Sequence, residues 1–557
     1  MKKPQFISAI SLLLISSQLM AQTTLIKNVN GYTFTDNSLT QFSAISFTDD
    51  IINKVYPIGA VLPASKGVIV IDGQGQTMLP GLIDAHGHVI GYGHSLLRVD
   101  LVNATSELDA VNRTISYAKD NPSMSWILGR GWNQVQWSNN SYPNAKSLDE
   151  AFPNKPVWLR RVDGHAGWAN SKAMALAGIT SASKAPVGGD IIKDKNGLPT
   201  GVFIDNAMTL ITASITPPSP MEDKIALKRA MHSLASLGLT SVHDAGIEQK
   251  DIALYKTLAS EGNMTIRING MLYLPSTNWQ QQLEQGPYRT EDEMFAVNSV
   301  KIQADGALGS RGASLINDYS DHSGHKGLLL HDKKSLQHYI DFAMNAGFQV
   351  NTHAIGDNAN KLILDLYQQA IQKSQTKALR HRIEHAQVLR LEDISRFSSL
   401  NVIASMQATH ATSDKNMAVT RLGEKRILGA YAWRKLLDSN TIIAAGSDFP
   451  VESPNPFFGL HASITRQDHK DLPIGGWYAD QKMTRTEALR SFTIDAAYAG
   501  HQEKLIGSLE AGKKADFILL ADDLLTMPES TIWQSQVSQT WVAGKKVFSA
   551  IDVPSVE

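Results

Sequence analysis

No cysteine occurs anywhere in the 557 residues of this chain. That removes disulfides, thiolate metal ligands and a cysteine nucleophile at once. Any metal must therefore be held by histidine, carboxylate or a modified lysine. The absence leaves the compartment open and is compatible with an oxidising one. Net charge is also nearly absent, at −1, and no basic run carries interleaved aromatics. Nucleic-acid binding is not expected, and no bulk field favours an anionic membrane. Past the N-terminus no apolar run reaches the roughly 20 residues that cross a bilayer, so no stable membrane anchor is expected. Hydrophobic content of 43% and charged content of 19% are ordinary for a soluble enzyme. The length calls for two or three domains.

The N-terminus differs from the rest. Lys2 and Lys3 are followed by a mostly apolar stretch, residues 6–15, and then by the small residue Ala21. This pattern reads as a secretory signal peptide over residues 1–21, with the exact cut left open. The expectation is an exported protein, periplasmic if the source is Gram-negative.

Residues 24–29, 41–47 and 67–71 are apolar or β-branched runs separated by Asn, Asp and Gly, and read as strands. Residues 515–520, 538–542 and 546–548 look similar, so the two chain ends are expected to pair into one β unit. Between them, strand runs alternate with helical patterns. Eight strands are expected at 81–88, 239–245, 267–274, 299–304, 348–354, 381–386, 401–407 and 441–447, with helices such as 335–346 and 361–374. Eight β/α repeats point to an α/β fold, a (β/α)8 TIM barrel. The first gap is far too long for one helix, so about residues 95–225 hold an insertion, with a hairpin turning at Lys195-Asn196-Gly197.

The first strand run ends in His86-Gly87-His88. Side chains at i and i+2 share a strand face, so both imidazoles can reach one cation. His353, His385 and Asp448 end the fifth, sixth and eighth runs. In a barrel these C-terminal ends converge at one mouth. Two more histidines and an aspartate there make a metal-site pattern, although each alone reads equally as a core histidine or a helix cap. Lys301 lies inside the fourth run, where a buried lysine is costly without a role. Either it pairs with Asp305, or CO2 converts it to an anionic carbamate able to bridge two cations.

These segments resemble the amidohydrolase superfamily, in its amidohydrolase-3 branch of formamide-deformylase-like and exoenzyme-regulatory-protein-like members. The resemblance is carried by residues 79–88, 238–246, 300–311, 352–357, 382–387, 446–451 and 507–518, and spans nearly the whole mature chain. It implies a barrel, residues 81–499, with a composite β-sandwich from residues 22–80 and 500–557. It implies that His86 and His88 ligate one metal, that Lys301 bridges, and that His353 and His385 hold the second. Asp448 would ligate the first metal and carry protons as the catalytic residue. One or two zinc ions are expected, with manganese, iron or nickel also suited to the ligand types.

The expected reaction is hydrolysis of a carbon–nitrogen bond in a small amide-like molecule, such as a formamide or acyl amide, by metal-activated water. An ester, cyclic amide or peptide end at the same site is the alternative, and a non-catalytic binding or regulatory protein a third reading. Substrate-contact candidates are His165 in the insertion and Asp305 and Arg311 in the loop after the fourth strand. Trp132 and Trp137 read as core before they read as a pocket wall. His243-Asp244 reads as a supporting pair, and His94, His410 and His461 stay unassigned. Self-association into a homo-oligomer is open.

Overall fold

The computed structural model describes residues 22–552 apart from 37, 64–65, 135–136, 140, 162–165, 187–188 and 310. The expected export signal, residues 1–21, and the candidate contact His165 lie outside the described residues.

Eight parallel strands follow one another around the centre: β1 (Leu82–Gly87), β2 (Leu239–Ile247), β3 (Arg267–Leu274), β4 (Phe295–Gln303), β5 (Gln349–Ala354), β6 (Arg382–His385), β7 (Ile403–Gln407) and β8 (Ile443–Gly446). Each pairs with the next. The ring draws together between β8 and β1, where the Asp448 N–H donates to the His86 carbonyl at 2.7 Å. The Ser447 hydroxyl adds a bond to Asp84 at 2.6 Å. Gly446 permits this approach, since a Cβ there would stand 2.6 Å from His86 N. This is the expected (β/α)8 barrel. Its strands are apolar runs because both faces are covered: β1 and β5 are buried at every position. β4 begins four residues before the expected start, because residues 295–297 already pair with β3.

Helices pack outside the ring by the usual amphipathic logic. The helix Lys333–Asn345 is capped by Asp332, which accepts from Ser335 N, and it buries Leu336, Ile340, Ala343 and Met344. No helix among the described residues is long and apolar enough to cross a membrane.

Both chain ends enter one eight-stranded sheet, joined where Thr77–Pro80 pairs antiparallel with Phe517–Leu520. The long strand Thr23–Thr35 changes partner at a bulge, pairing Val68–Asp72 with its first half and Thr77–Pro80 with its second. The sheet thereby curls over itself: Phe47 meets Phe517 at 5.9 Å and Trp541 at 6.0 Å, although their strands are not neighbours. Between β1 and β2 the chain builds a six-stranded mixed sheet running from Val99–Asp100 to Pro199–Asp205. The hairpin at 195–197 belongs to it. Trp132 and Trp137 are in that sheet's own core, packed with Trp168, and form no wall of the barrel mouth.

Candidate metal centre

His86, His88, Lys301, His353, His385 and Asp448 all line one cavity of about 440 Å³, at the C-terminal ends of the strands that carry or precede them. Their convergence follows from the barrel, which points the ends of β1, β4, β5, β6 and β8 at a common mouth. Gly87 lets the β1 end pass close to β8, since a Cβ there would collide with the Phe449 ring at 2.2 Å. His385 and Asp448 adopt left-handed backbone, with φ of 73° and 61°. Histidine and aspartate are among the residue types that enter this region most readily, and here it turns both side chains into the mouth at the strand ends.

His86 is the most deeply held of the six. It is fully buried, and its Nδ1 meets the Glu384 carboxylate in a short contact. Burial works to raise the Glu384 carboxyl, but Arg382 and His86 outweigh it and hold Glu384 well below the usual range. Glu384 is therefore an acceptor only. His86 must donate through Nδ1, which leaves its Nε2 lone pair aimed into the mouth. Arg382 grips Glu384 with two bonds, at 2.8 and 2.9 Å, and also donates to His243 Nδ1 at 2.9 Å. His243 is thus part of the support beneath the site. Asp244 has a similar place, accepting from Tyr255 at 2.6 Å and from Val89 N–H at 3.1 Å.

The Lys301 amine lies 3.1 Å from His86 Nε2 and does not contact Asp305. Burial pulls its pKa down, against the pull of Glu384 and Asp448. Burial, with the charge of Lys301, brings His86 down to about 4 and His353 to about 3. Burial and the nearby His353 keep His385 far below the ordinary imidazole value. These rings are neutral near pH 7, the form that ligates a cation.

Two groups of ligand atoms lie within 4.8 Å of one another: His86, His88 and Asp448 in one, and His385, His410 and Asp448 in the other. Asp448 belongs to both. His88 Nε2 is 3.1 Å from Asp448 Oδ1, and His410 Nε2 is 3.8 Å from Asp448 Oδ2. His385 donates through Nδ1 to Gln407 Oε1 at 2.8 Å, which leaves its Nε2 free. His410 Nε2 and His353 Nε2 are buried without a hydrogen-bond partner, a costly state that a bound cation or ligand relieves. Neutral imidazoles, unpaired ring nitrogens and a shared carboxylate fit a divalent cation. The second group departs from the family expectation in one respect. It joins His385 to His410, while the His353 ring packs edge-on against His385 at 4.5 Å and turns Nε2 toward Asp305 Oδ1, 3.5 Å away.

Two substrate-contact candidates stand outside the cavity lining. Asp305 is fully buried beneath the mouth, where its oxygens accept the N–H groups of Ile355, Gly356 and Ser314 at 2.8–2.9 Å. It ties the β4 loop to the β5 loop and does not line the cavity. Arg311 likewise stands outside the lining, because its guanidinium is committed to Asp321 at 3.1 and 2.8 Å.

A family model described as "Amidohydrolase family" matches residues 69–548. Among characterised relatives, the chain is 33% identical to "Protein LONG AFTER FAR-RED 3" of Arabidopsis thaliana, over 93% of this chain and 91% of that one. It is 26% identical to "N-substituted formamide deformylase" of Arthrobacter pascens, over 87% and 90%. Among solved structures, an uncharacterized metal-dependent hydrolase from Pyrococcus furiosus aligns with a TM-score of 0.74 at 26% identity, covering 90% of this chain and 100% of that one.

Proposed function

Since the chain belongs to the amidohydrolase family, we propose that this hydrolase cleaves the carbon–nitrogen bond of a small non-peptide amide, such as an N-substituted formamide or acyl amide. The observation that carries the reading is the meeting of five histidines, Lys301 and Asp448 in one cavity, where His410 Nε2 is buried without a partner beside Asp448. The deformylase relative supports the choice of bond.

His86, His88 and Asp448 would hold one cation and His385 and His410 with Asp448 a second, while His353 lines the same cavity. Zinc suits these ligands first, with manganese, iron or nickel as alternatives. Such a cation supplies a Lewis acid for the carbonyl oxygen and a water acidic enough to attack near neutral pH. Lys301, buried and drawn toward the neutral amine, would add its nitrogen to CO2 with loss of a proton, and the resulting carbamate would supply anionic oxygen ligands beside His86. Asp448 takes the proton of the attacking water on Oδ2 and returns it to the departing nitrogen as the C–N bond breaks. The products are a carboxylic acid and an amine.

The test is metal analysis of the purified protein together with a panel of formamides, acyl amides, hydantoins and esters. Release of amine that depends on added Zn or Mn is the expected result. A protein that binds no metal and hydrolyses nothing after Zn or Mn addition overturns the reading, and turnover of esters alone moves it to another bond.

A further inference from the structure

The far side of the same cavity is acidic. Asp414 and Glu452 line it, and among the described lining residues the only lysine or arginine is Lys301, at the floor. Basic side chains on the flanking loops are engaged elsewhere: Arg311 and Arg421 with Asp321, and Lys415 with Asp468 at 2.7 Å. Ser413 joins the two acids, being next to Asp414 in the chain and donating to Glu452 Oε1 at 2.7 Å. Tyr431 and Gln387 both donate to Asp414 Oδ2, at 2.7 and 3.1 Å. Asp414 Oδ1 and Glu452 Oε2 accept from no described donor. A cavity whose charged wall carries two acids and no cation repels a carboxylate and attracts a cation. His410, whose Nε2 is buried without a partner beside Asp448, lines the same cavity between the acids and the metal-site residues.

Resting on the hydrolytic reading above, we propose that the substrate is an amide whose other end is an ammonium group, held by Asp414 and Glu452. The helix Ala408–Asp414 sets the spacing. His410 and Asp414 are four residues apart on it, so they share a face at a rise of about 6 Å. His410 flanks Asp448, so the cation site lies roughly one helical turn beyond the reacting carbon. Leu308, Ile355 and Val451 are apolar members of the same lining and suit a methylene spacer. N-acyl amino acids and other carboxylate-bearing amides are disfavoured by the same wall.

Three probes of matched spacer test this: N-(4-aminobutyl)acetamide, N-pentylacetamide and 4-acetamidobutanoate, with turnover and calorimetric binding measured on the metal-loaded protein near neutral pH. The cationic amide is expected to lead the neutral one by about tenfold or more, with the anionic one last. The Asp414→Asn/Glu452→Gln double variant should lose that ranking while the neutral amide changes little. Equal treatment of the three, preference for the anion, or a ranking that survives both substitutions overturns the proposal. Where none of the three is cleaved, the binding ranking still decides it, and the failure of turnover falls on the hydrolytic reading alone.

Discussion

Asp448 meets His88 with one carboxylate oxygen at 3.1 Å, while its second oxygen takes no hydrogen bond from a described side chain and faces His410 across 3.8 Å. One oxygen thus faces the first cation group and the other the second, and under the hydrolytic reading the second also takes the proton of the attacking water. Burial works to raise the Asp448 carboxyl, but the His88 bond and the surrounding imidazoles of His86, His385 and His410 outweigh it, so the group is held ionised.

Asp448→Asn separates those two duties. The amide keeps the shape and one ligand oxygen but cannot take a proton. Turnover should fall by about 10²–10⁴-fold, while elemental analysis finds most of the metal still bound. Retained turnover would remove Asp448 from the chemistry, and full loss of metal would make it a ligand only.

Lys301→Ala removes the amine beside His86 Nε2. If a carbamate is the working form, the variant loses activity and regains part of it with formate, acetate or propionate, which replace the missing oxygens. Dose-dependent recovery of rate is the expected readout. Recovery with none of them would favour an unmodified lysine.

Glu384 acts through His86. A carboxylate behind a metal-ligating imidazole fixes its tautomer and strengthens it as a ligand, and its loss typically costs 10–100-fold in metal affinity, on the order of 1–3 kcal/mol. Glu384→Gln should show that loss in competition against a chelator, with the far-ultraviolet spectrum of the wild type. Unchanged affinity would reduce the Arg382–Glu384–His86 chain to a packing feature.

The contrast between Lys301 and Glu384 shows what could be read from sequence. Both are charged residues inside apolar strands, and that anomaly drew attention to Lys301. The same signal is present at Glu384 and at Arg382, two residues before it on the same strand, but their link to His86 is visible only once β6 meets β1 across the barrel. The strands themselves were legible because burial on both faces makes each an unbroken apolar run. His410 was not, because it sits in a helix after β7 and not at a strand end. The places of Asp305 and Arg311 were not legible for a related reason: their partners are loop backbone and Asp321, and loop conformation has no periodicity to reveal it.

A buried ion pair crosses the junction between barrel and terminal sheet. Arg267, at the start of β3, donates to Asp516 at 2.7 and 3.0 Å, and both side chains are almost fully buried. Asp516 also accepts the Ala543 N–H at 2.7 Å, so it links β3 to two C-terminal segments. Removing one partner leaves the other charge buried and unpaired, which costs about 3–5 kcal/mol. Arg267→Met should therefore lower the melting midpoint clearly and expose the terminal sheet to limited proteolysis. The double variant Arg267→Met/Asp516→Leu should recover part of the loss, because no charge is stranded, though the Ala543 N–H keeps it short of wild type. If the single variant melts with the wild type, the pair does not hold the junction. If the double variant is worse than either single change, the two residues contribute through separate contacts rather than through each other.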